Sequence, residues 1–382
     1  MQYGLLSASG VFSIIGSVLL AILILLVMIT VHEFGHYVAG KIFKFKINEF
    51  AIGFGPALYK HKKKNGEIFS VRLLPLGGYC AFEGEDEDKD DPNAFNNKKP
   101  WQRIIVLIAG AFMNYLLAVL VIIVSFFACG QLLLMTYETD DYQYTENGKF
   151  IESEYMFQDR DVIISCNGKN IYLTADLMDA LEGLKEGDLA DFKISRSFEE
   201  GRKIINVQIM MRTDADFSGM TDTDSVWECI GVAKQYGEDG ESFTYMMAST
   251  AVKGFGFFRT IGRAFTYSFR LAGTLFRVLG ELFTGALGLS AFGGPITTIR
   301  MTSKIATMGL VQFFEITALI GVNLAVFNLL PIPALDGSKV VFTIIEWIRG
   351  KPVNRKVEAV IHAVGFIFLI GFAILVDLLQ LF

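Results

Sequence analysis

The chain has 382 residues, is 52% hydrophobic, contains 34 Phe and carries a net charge of −6, with a mean hydropathy of +0.43. That balance excludes a nucleic-acid binder and an ordinary soluble enzyme, and predicts a polytopic membrane protein. Cys80, Cys129, Cys166 and Cys229 form no CxxC pair and no regular framework, so neither a cysteine metal site nor a disulfide scaffold is indicated. Cys166 and Cys229 could pair only if both faced an oxidising side.

From Met1 to Val31 there is no Asp, Glu, Lys or Arg, and Val11 to Val31 is a run of 21 mostly aliphatic residues, enough to cross a bilayer as a helix. No basic n-region and no small-residue cleavage site precede its end, so the run is expected to stay in the mature protein. It leads directly into His32-Glu33-Phe34-Gly35-His36. If the helix continues, His32 and His36 lie one turn apart on one face and can share a zinc ion. Glu33 sits one residue round the helix, close enough to reach a water at the metal but poorly placed as a ligand, which assigns it the role of general base. Ionisable groups beside a spanning helix are costly and usually functional.

Twelve Lys and Arg follow between Lys41 and Arg103, whereas none precedes the span. The positive-inside rule then places the N-terminus outside, this loop in the cytoplasm and the histidines toward the cytoplasmic side. Within the loop, Phe50–Phe54 and Ile68–Leu73 flank Asn65-Gly66 and predict a β-hairpin against the membrane. Leu74 to Tyr79 is expected to make a turn, one too apolar for a free loop, and a strand edge near the metal would offer backbone groups to an extended peptide. The acidic run Glu83 to Asp91 reads as a solvated loop. A second span is predicted from Ile104 to Cys129, in which Ala109-Gly110-Ala111 allows close helix approach and Asn114 serves packing.

Residues 131–241 turn soluble and acidic, with strand-like runs at Asp161–Cys166, Phe192–Arg196 and Asn206–Met210, a turn at Asn167-Gly168 and helical periodicity over Leu177–Leu184. A small β-rich domain on the outer side is expected. From Gly254 to Ala291, Arg259, Arg263, Arg270 and Arg277 share one helical stripe opposite Phe258, Phe265, Phe269, Leu275 and Phe276, which predicts a helix lying in the membrane interface.

A third span, Ile316 to Leu335, ends in Asn328-Leu329-Leu330-Pro331-Ile332-Pro333-Ala334-Leu335-Asp336-Gly337. The two prolines break the helix and free backbone groups that only protein or a water-filled cavity can receive. This span runs inward, so Asp336 reaches the membrane depth of the histidines and is the candidate third ligand; two His and one carboxylate leave a tetrahedral zinc one position for water. A fourth span, Ala359 to Val376, carries His362, read as structural.

Together with Phe50–Pro56, Leu74–Tyr79, Lys99–Arg103 and Gly293-Gly294-Pro295, these two metal motifs closely resemble the site-2 protease family, specifically the bacterial regulator-of-sigma-factor proteases with an extracytoplasmic PDZ domain. The resemblance covers nearly the whole chain. It implies a polytopic α-helical membrane fold of about four transmembrane helices, with a membrane-associated β-hairpin and an inserted PDZ-like α+β domain. Residues 1–137 would form the N-terminal membrane core, 138–240 the PDZ-like domain, 241–304 the interfacial helical segment and 305–382 the C-terminal core. The implied activity is zinc-dependent cleavage of the transmembrane segments of single-pass proteins, such as trimmed anti-sigma factors or remnant signal peptides, in a bacterial cell membrane. Zinc at His32, His36 and Asp336, Glu33 as base, and Asn323 and Asn328 near the substrate backbone follow from the same resemblance. The implied partners are the substrate and the lipid bilayer, with no nucleic acid and no organic cofactor.

The chain departs from that pattern twice. Gly110-Ala111 stands where Gly-Pro is usual, and Met156–Asp161 lacks the apolar Gly-Leu loop of a PDZ carboxylate pocket, which argues against binding of peptide C-termini. Other classes explain less. A soluble metzincin needs Gly and His where Ala39 and Ile42 stand, a scaffold gives Glu33 no purpose, and a metal transporter would scatter ligands along a path through the membrane.

Overall fold

The computed structural model describes residues 8–85, 89–136, 145–146, 149–150, 155–217, 225–236, 243–285 and 293–380. In chain order the elements are α1 (Ala8–Ile42), β1 (Ile47–Lys62), β2 (Ile68–Phe82), α2 (Pro100–Ala128), β3 (Gln131–Thr136), β4 (Thr145–Glu146), β5 (Lys149–Phe150), β6 (Val162–Cys166), β7 (Lys169–Asn170), α3 (Thr174–Leu181), β8 (Leu189–Phe198), β9 (Gly201–Met210), α4 (Ser225–Cys229), β10 (Lys234–Tyr236), β11 (Phe243–Tyr245), β12 (Met247–Val252), α5 (Phe257–Thr284), α6 (Pro295–Ala306), α7 (Leu310–Leu329), α8 (Asp336–Arg349) and α9 (Arg355–Leu379). Among the described residues, α1, α2, α7 and α9 are long and apolar enough to cross a membrane. The chain divides into two compact units, one of residues 1–124, 271–279 and 288–382, the other of residues 125–270 and 280–287.

In the first unit, small residues set how closely the helices cross. A Cβ on Gly35 would lie 2.3 Å from the carbonyl oxygen of Ala109, and one on Gly321 would lie 3.0 Å from Ala118 and 3.3 Å from Met28. With no hydrophobic drive between helices in lipid, such contacts and polar bonds hold the bundle. Ile24, Met28, Ala306 and Ile320 form one buried cluster there. The N-terminus of α6 is capped from α9, where the Asp377 carboxylate accepts the N–H groups of Ile296 and Thr297, each at 3.0 Å. Where the sequence predicts a third helix to Leu335, α7 stops at Leu329. Pro331 cannot donate, and it forces Leu330 into extended backbone (ψ 144°). Asp336 is instead the first residue of α8. Helix α6, at the end of the segment 241–304 that the resemblance makes helical, carries Pro295 in its first turn, a position that suits proline's fixed φ.

β1 and β2 pair antiparallel across Asn65-Gly66, with Gly66 at φ +89°. The turn is tied to α1 through Glu67, whose buried carboxylate accepts from Lys63 at 2.7 Å and from Lys41. Burial raises its pKa, but hydrogen bonds from Lys41, Lys63 and Asn65 outweigh this and hold it at about 2.

The second unit is built on an antiparallel sheet of order β12-β3-β6-β8-β9, with β7 paired to β6. Along β8 the alternate residues Ala190, Phe192 and Ile194 point into a core shared with Leu177, Leu181, Ile209 and Trp227. Asn167 (φ +47°) and Gly168 (φ +76°) make the tight β6–β7 turn that the dipeptide predicts. All four cysteines are free thiols. Part of the arginine stripe of α5 turns inward. Arg263 is buried, lies between the rings of Phe255 (4.5 Å) and Tyr172 (4.7 Å) and donates to Gln131, and Arg270 pairs with Asp176 at 3.3 Å. Phe258, Phe265 and Phe269 on the opposite face are exposed.

Candidate metal centre

Helix α1 runs unbroken through residues 32–36, so the two imidazoles stack one turn apart, edge to face at 85°. Their Nε2 atoms are 3.2 Å apart, and an Asp336 carboxylate oxygen lies 3.0 Å from Nε2 of His32 and 3.3 Å from that of His36. Among the described residues this is the one cluster of three or more His, Cys, Asp or Glu whose donor atoms converge within 4.8 Å of one another. Ligands at ~2.05 Å around a tetrahedral zinc stand about 3.3 Å from each other, so the three spacings fit such an ion. The tautomer of His36 fits too. Its Nδ1 donates to the Val106 carbonyl at 2.8 Å, which leaves the Nε2 lone pair for a metal.

α2 is fitted to this cluster through Gly110. A Cβ there would lie 2.4 Å from Nε2 of His36 and 2.8 Å from Cε1 of His32. Only glycine lets the α2 backbone approach the rings this closely.

A cavity of about 290 Å3 opens on the cluster, lined by Ile29, His32, Glu33, Asn114, Leu324, Asn328 and Asp336 among others. β2 crosses α1 beside it. A Cβ on Gly78 in β2 would touch the Glu33 side chain at 3.4 Å. Glu33 thus borders the space where a substrate bond would lie without joining the three converging atoms. Asn328 reaches the site, its amide nitrogen 3.5 Å from Nδ1 of His32, at the outer limit of a hydrogen bond.

Asn323 is not among the residues lining the cavity; it stands five positions before Asn328 on α7, about 140° round the helix. Asn114, which the sequence assigns to packing, lines the cavity instead. It is buried, and neither its amide oxygen nor its nitrogen has a hydrogen-bond partner among the described residues. A polar residue four positions after the glycine that touches both imidazoles is the signal that could have placed it. His362, read as structural, accepts the N–H of Ala334, two residues before Asp336.

A family model described as peptidase family M50 matches residues 20–372. Relatives along nearly the whole chain carry the name "Putative zinc metalloprotease". One from Clostridium perfringens is 30% identical over 94% of this chain and 97% of its own length. One from Fusobacterium nucleatum is 28% identical over 94% and 96%, and one from a Nostoc species is 29% identical over 94% of each.

Proposed function

Because this chain belongs to peptidase family M50, the site-2 protease family, and is therefore a membrane metalloprotease, we propose that it is a zinc-dependent intramembrane endopeptidase. Its substrates are the transmembrane segments of single-pass proteins, such as anti-sigma factors already trimmed outside or remnant signal peptides. The observation that carries this reading is the convergence of His32, His36 and Asp336 beside a helix long enough to span a membrane. Zinc, when bound by these three residues, supplies a Lewis acid that polarises the scissile carbonyl and acidifies water.

The remaining steps belong to the chain. Glu33 takes the proton of the attacking water on its carboxylate and delivers it to the departing amide nitrogen. Val106 fixes the His36 ring by accepting its Nδ1–H. Ile29 and Leu324 line the cavity with apolar surface that suits a membrane segment and excludes bulk water. A segment unwound beside β2, near Gly78 and Glu33, would find strand backbone to pair with. Asn328 lies where it can hold the substrate backbone, and Asn323 is proposed for the same role from the family resemblance.

The charge asymmetry supports an outer N-terminus and a site toward the cytoplasmic face of a bacterial cell membrane. The β-rich unit is proposed to be the single PDZ-like domain of a regulator-of-sigma-factor protease, acting as a size filter in regulated intramembrane proteolysis. Its Met156–Asp161 loop supports a filter over a gripping role. The Gln158 N–H is taken at 2.8 Å by Asp161, whose carboxylate also pairs with Arg196 at 2.6 Å, so a peptide C-terminus would meet a carboxylate already there.

The test is Glu33→Gln in the purified, zinc-loaded protein. Zinc content equal to wild type with cleavage of a model transmembrane substrate abolished is the expected result, because an amide cannot accept the proton. Full activity would overturn the mechanism.

A further inference from the structure

Asp336 enters the metal cluster from the end of a loop, residues 330–335 between α7 and α8, and that loop is a thin wall. The catalytic cavity of about 290 Å3 lies on one side of it, a second cavity of about 360 Å3 lies on the other, and Ala334 lines both. Ala334 is also in the left-handed region, at φ +80°, where an L residue stays only if its neighbours enforce it.

What holds the loop comes from α9. The Ala334 N–H donates to Nδ1 of His362 at 3.0 Å. One turn on, Gly365 lets Pro333 seat against the α9 backbone so closely that a Cβ would lie 2.3 Å from Pro333 Cβ. At Gly337, just past the carboxylate, a Cβ would lie 2.3 Å from the Leu330 carbonyl oxygen, so the loop folds tightly on itself and passes a displacement of residue 334 on to residue 336. Neutral His362 with Nδ1 accepting carries its proton on Nε2.

We propose that His362 is a positioning residue: by accepting the Ala334 N–H it locks the left-handed peptide that aims the Asp336 carboxylate at the metal. The inference rests on the reading of Asp336 as a zinc ligand. A packing role for His362 would ask only for a side chain of similar size, whereas the positioning role asks for an acceptor at the place of Nδ1.

Four variants of the full-length protein in detergent separate these. Each is measured for zinc affinity by chelator competition, for kcat and KM at saturating zinc, and for melting temperature. His362→Leu fills the space without an acceptor, His362→Asn puts Oδ1 where Nδ1 was, His362→Gln sends its amide past that place, and Asp336→Ala removes the ligand. Expected are zinc affinities weakened about 10-fold or more in the Leu and Gln variants, with kcat lowered and KM little changed, and restoration to wild type in the Asn variant. If the Leu variant fails to fold, the contrast between Asn and Gln carries the test. Wild-type affinity in the Leu and Gln variants while Asp336→Ala loses zinc overturns the positioning role alone, as does equal impairment by Asn and Gln. Wild-type affinity in Asp336→Ala overturns the ligand reading beneath it.

Discussion

Gly110→Ala tests how the candidate metal cluster is built. The added methyl would lie 2.4 Å from Nε2 of His36, 2.7 Å from its Cε1 and 2.8 Å from Cε1 of His32, against ordinary contacts of 3.4 Å or more. The His36 ring cannot simply swing away, because its Nδ1 is bonded to Val106 at 2.8 Å and its Cα is held within the unbroken helix α1. It must retreat by about 1 Å, whereas ligand distances in metal sites hold to about ±0.2 Å. Overpacking of this kind costs about 1–3 kcal/mol. If that cost falls on the bound geometry, zinc affinity drops by roughly 5- to 150-fold. Alanine's better helix propensity returns about 1 kcal/mol to the fold, so the protein should remain folded while it loses zinc. Chelator competition reads the affinity and a thermal melt reads the fold. Gly16→Ala is the control, since a methyl there meets nothing within 4 Å. A Gly110→Ala protein that binds zinc as tightly as the Gly16→Ala control would refute the close-approach argument.

Two further outcomes are expected. Glu67→Gln should destabilise the protein at pH 7 by about 1–3 kcal/mol. The folded carboxyl is depressed from its usual 4.5 to about 2, so its stabilisation is present above pH 4.5 and fades as pH falls toward 2. A difference between variant and wild type that stays constant from pH 7 to pH 3 would contradict this. Finally, β3 and β12 pair with Thr136 opposite Met247, so residues 137–246 can be replaced by a short joint between adjacent strand ends. That deletion should still cleave a trimmed stub and newly cleave full-length substrate, and a folded, zinc-loaded deletion that cleaves neither would assign recognition to the domain.

Local chemistry made several parts of this protein legible from the chain. Uncharged runs fix where helices can cross a membrane, and i, i+4 spacing puts His32 and His36 on one face whatever surrounds them. Asn-Gly pairs mark the turns at residues 65–66 and 167–168 because they admit positive φ. Pro331 and Pro333 announce that a helix must stop, although the break falls at Leu329, one turn and a half before the expected Leu335. Packing between distant elements decided the rest. Asp336 meets His32 across a separation of 304 residues, two residues after a left-handed alanine whose N–H is accepted by an imidazole from another helix. Asn114 rather than Asn323 borders the cavity because helix rotation, set by contacts such as Gly110 against the imidazoles, determines which polar residue faces inward. The arginine stripe of α5 was visible as a stripe, but burial of Arg263 between Tyr172 and Phe255 required folded partners. Sequence periodicity sets the angle of a side chain within its own helix, and only the volumes that meet it from other elements determine what that side chain touches.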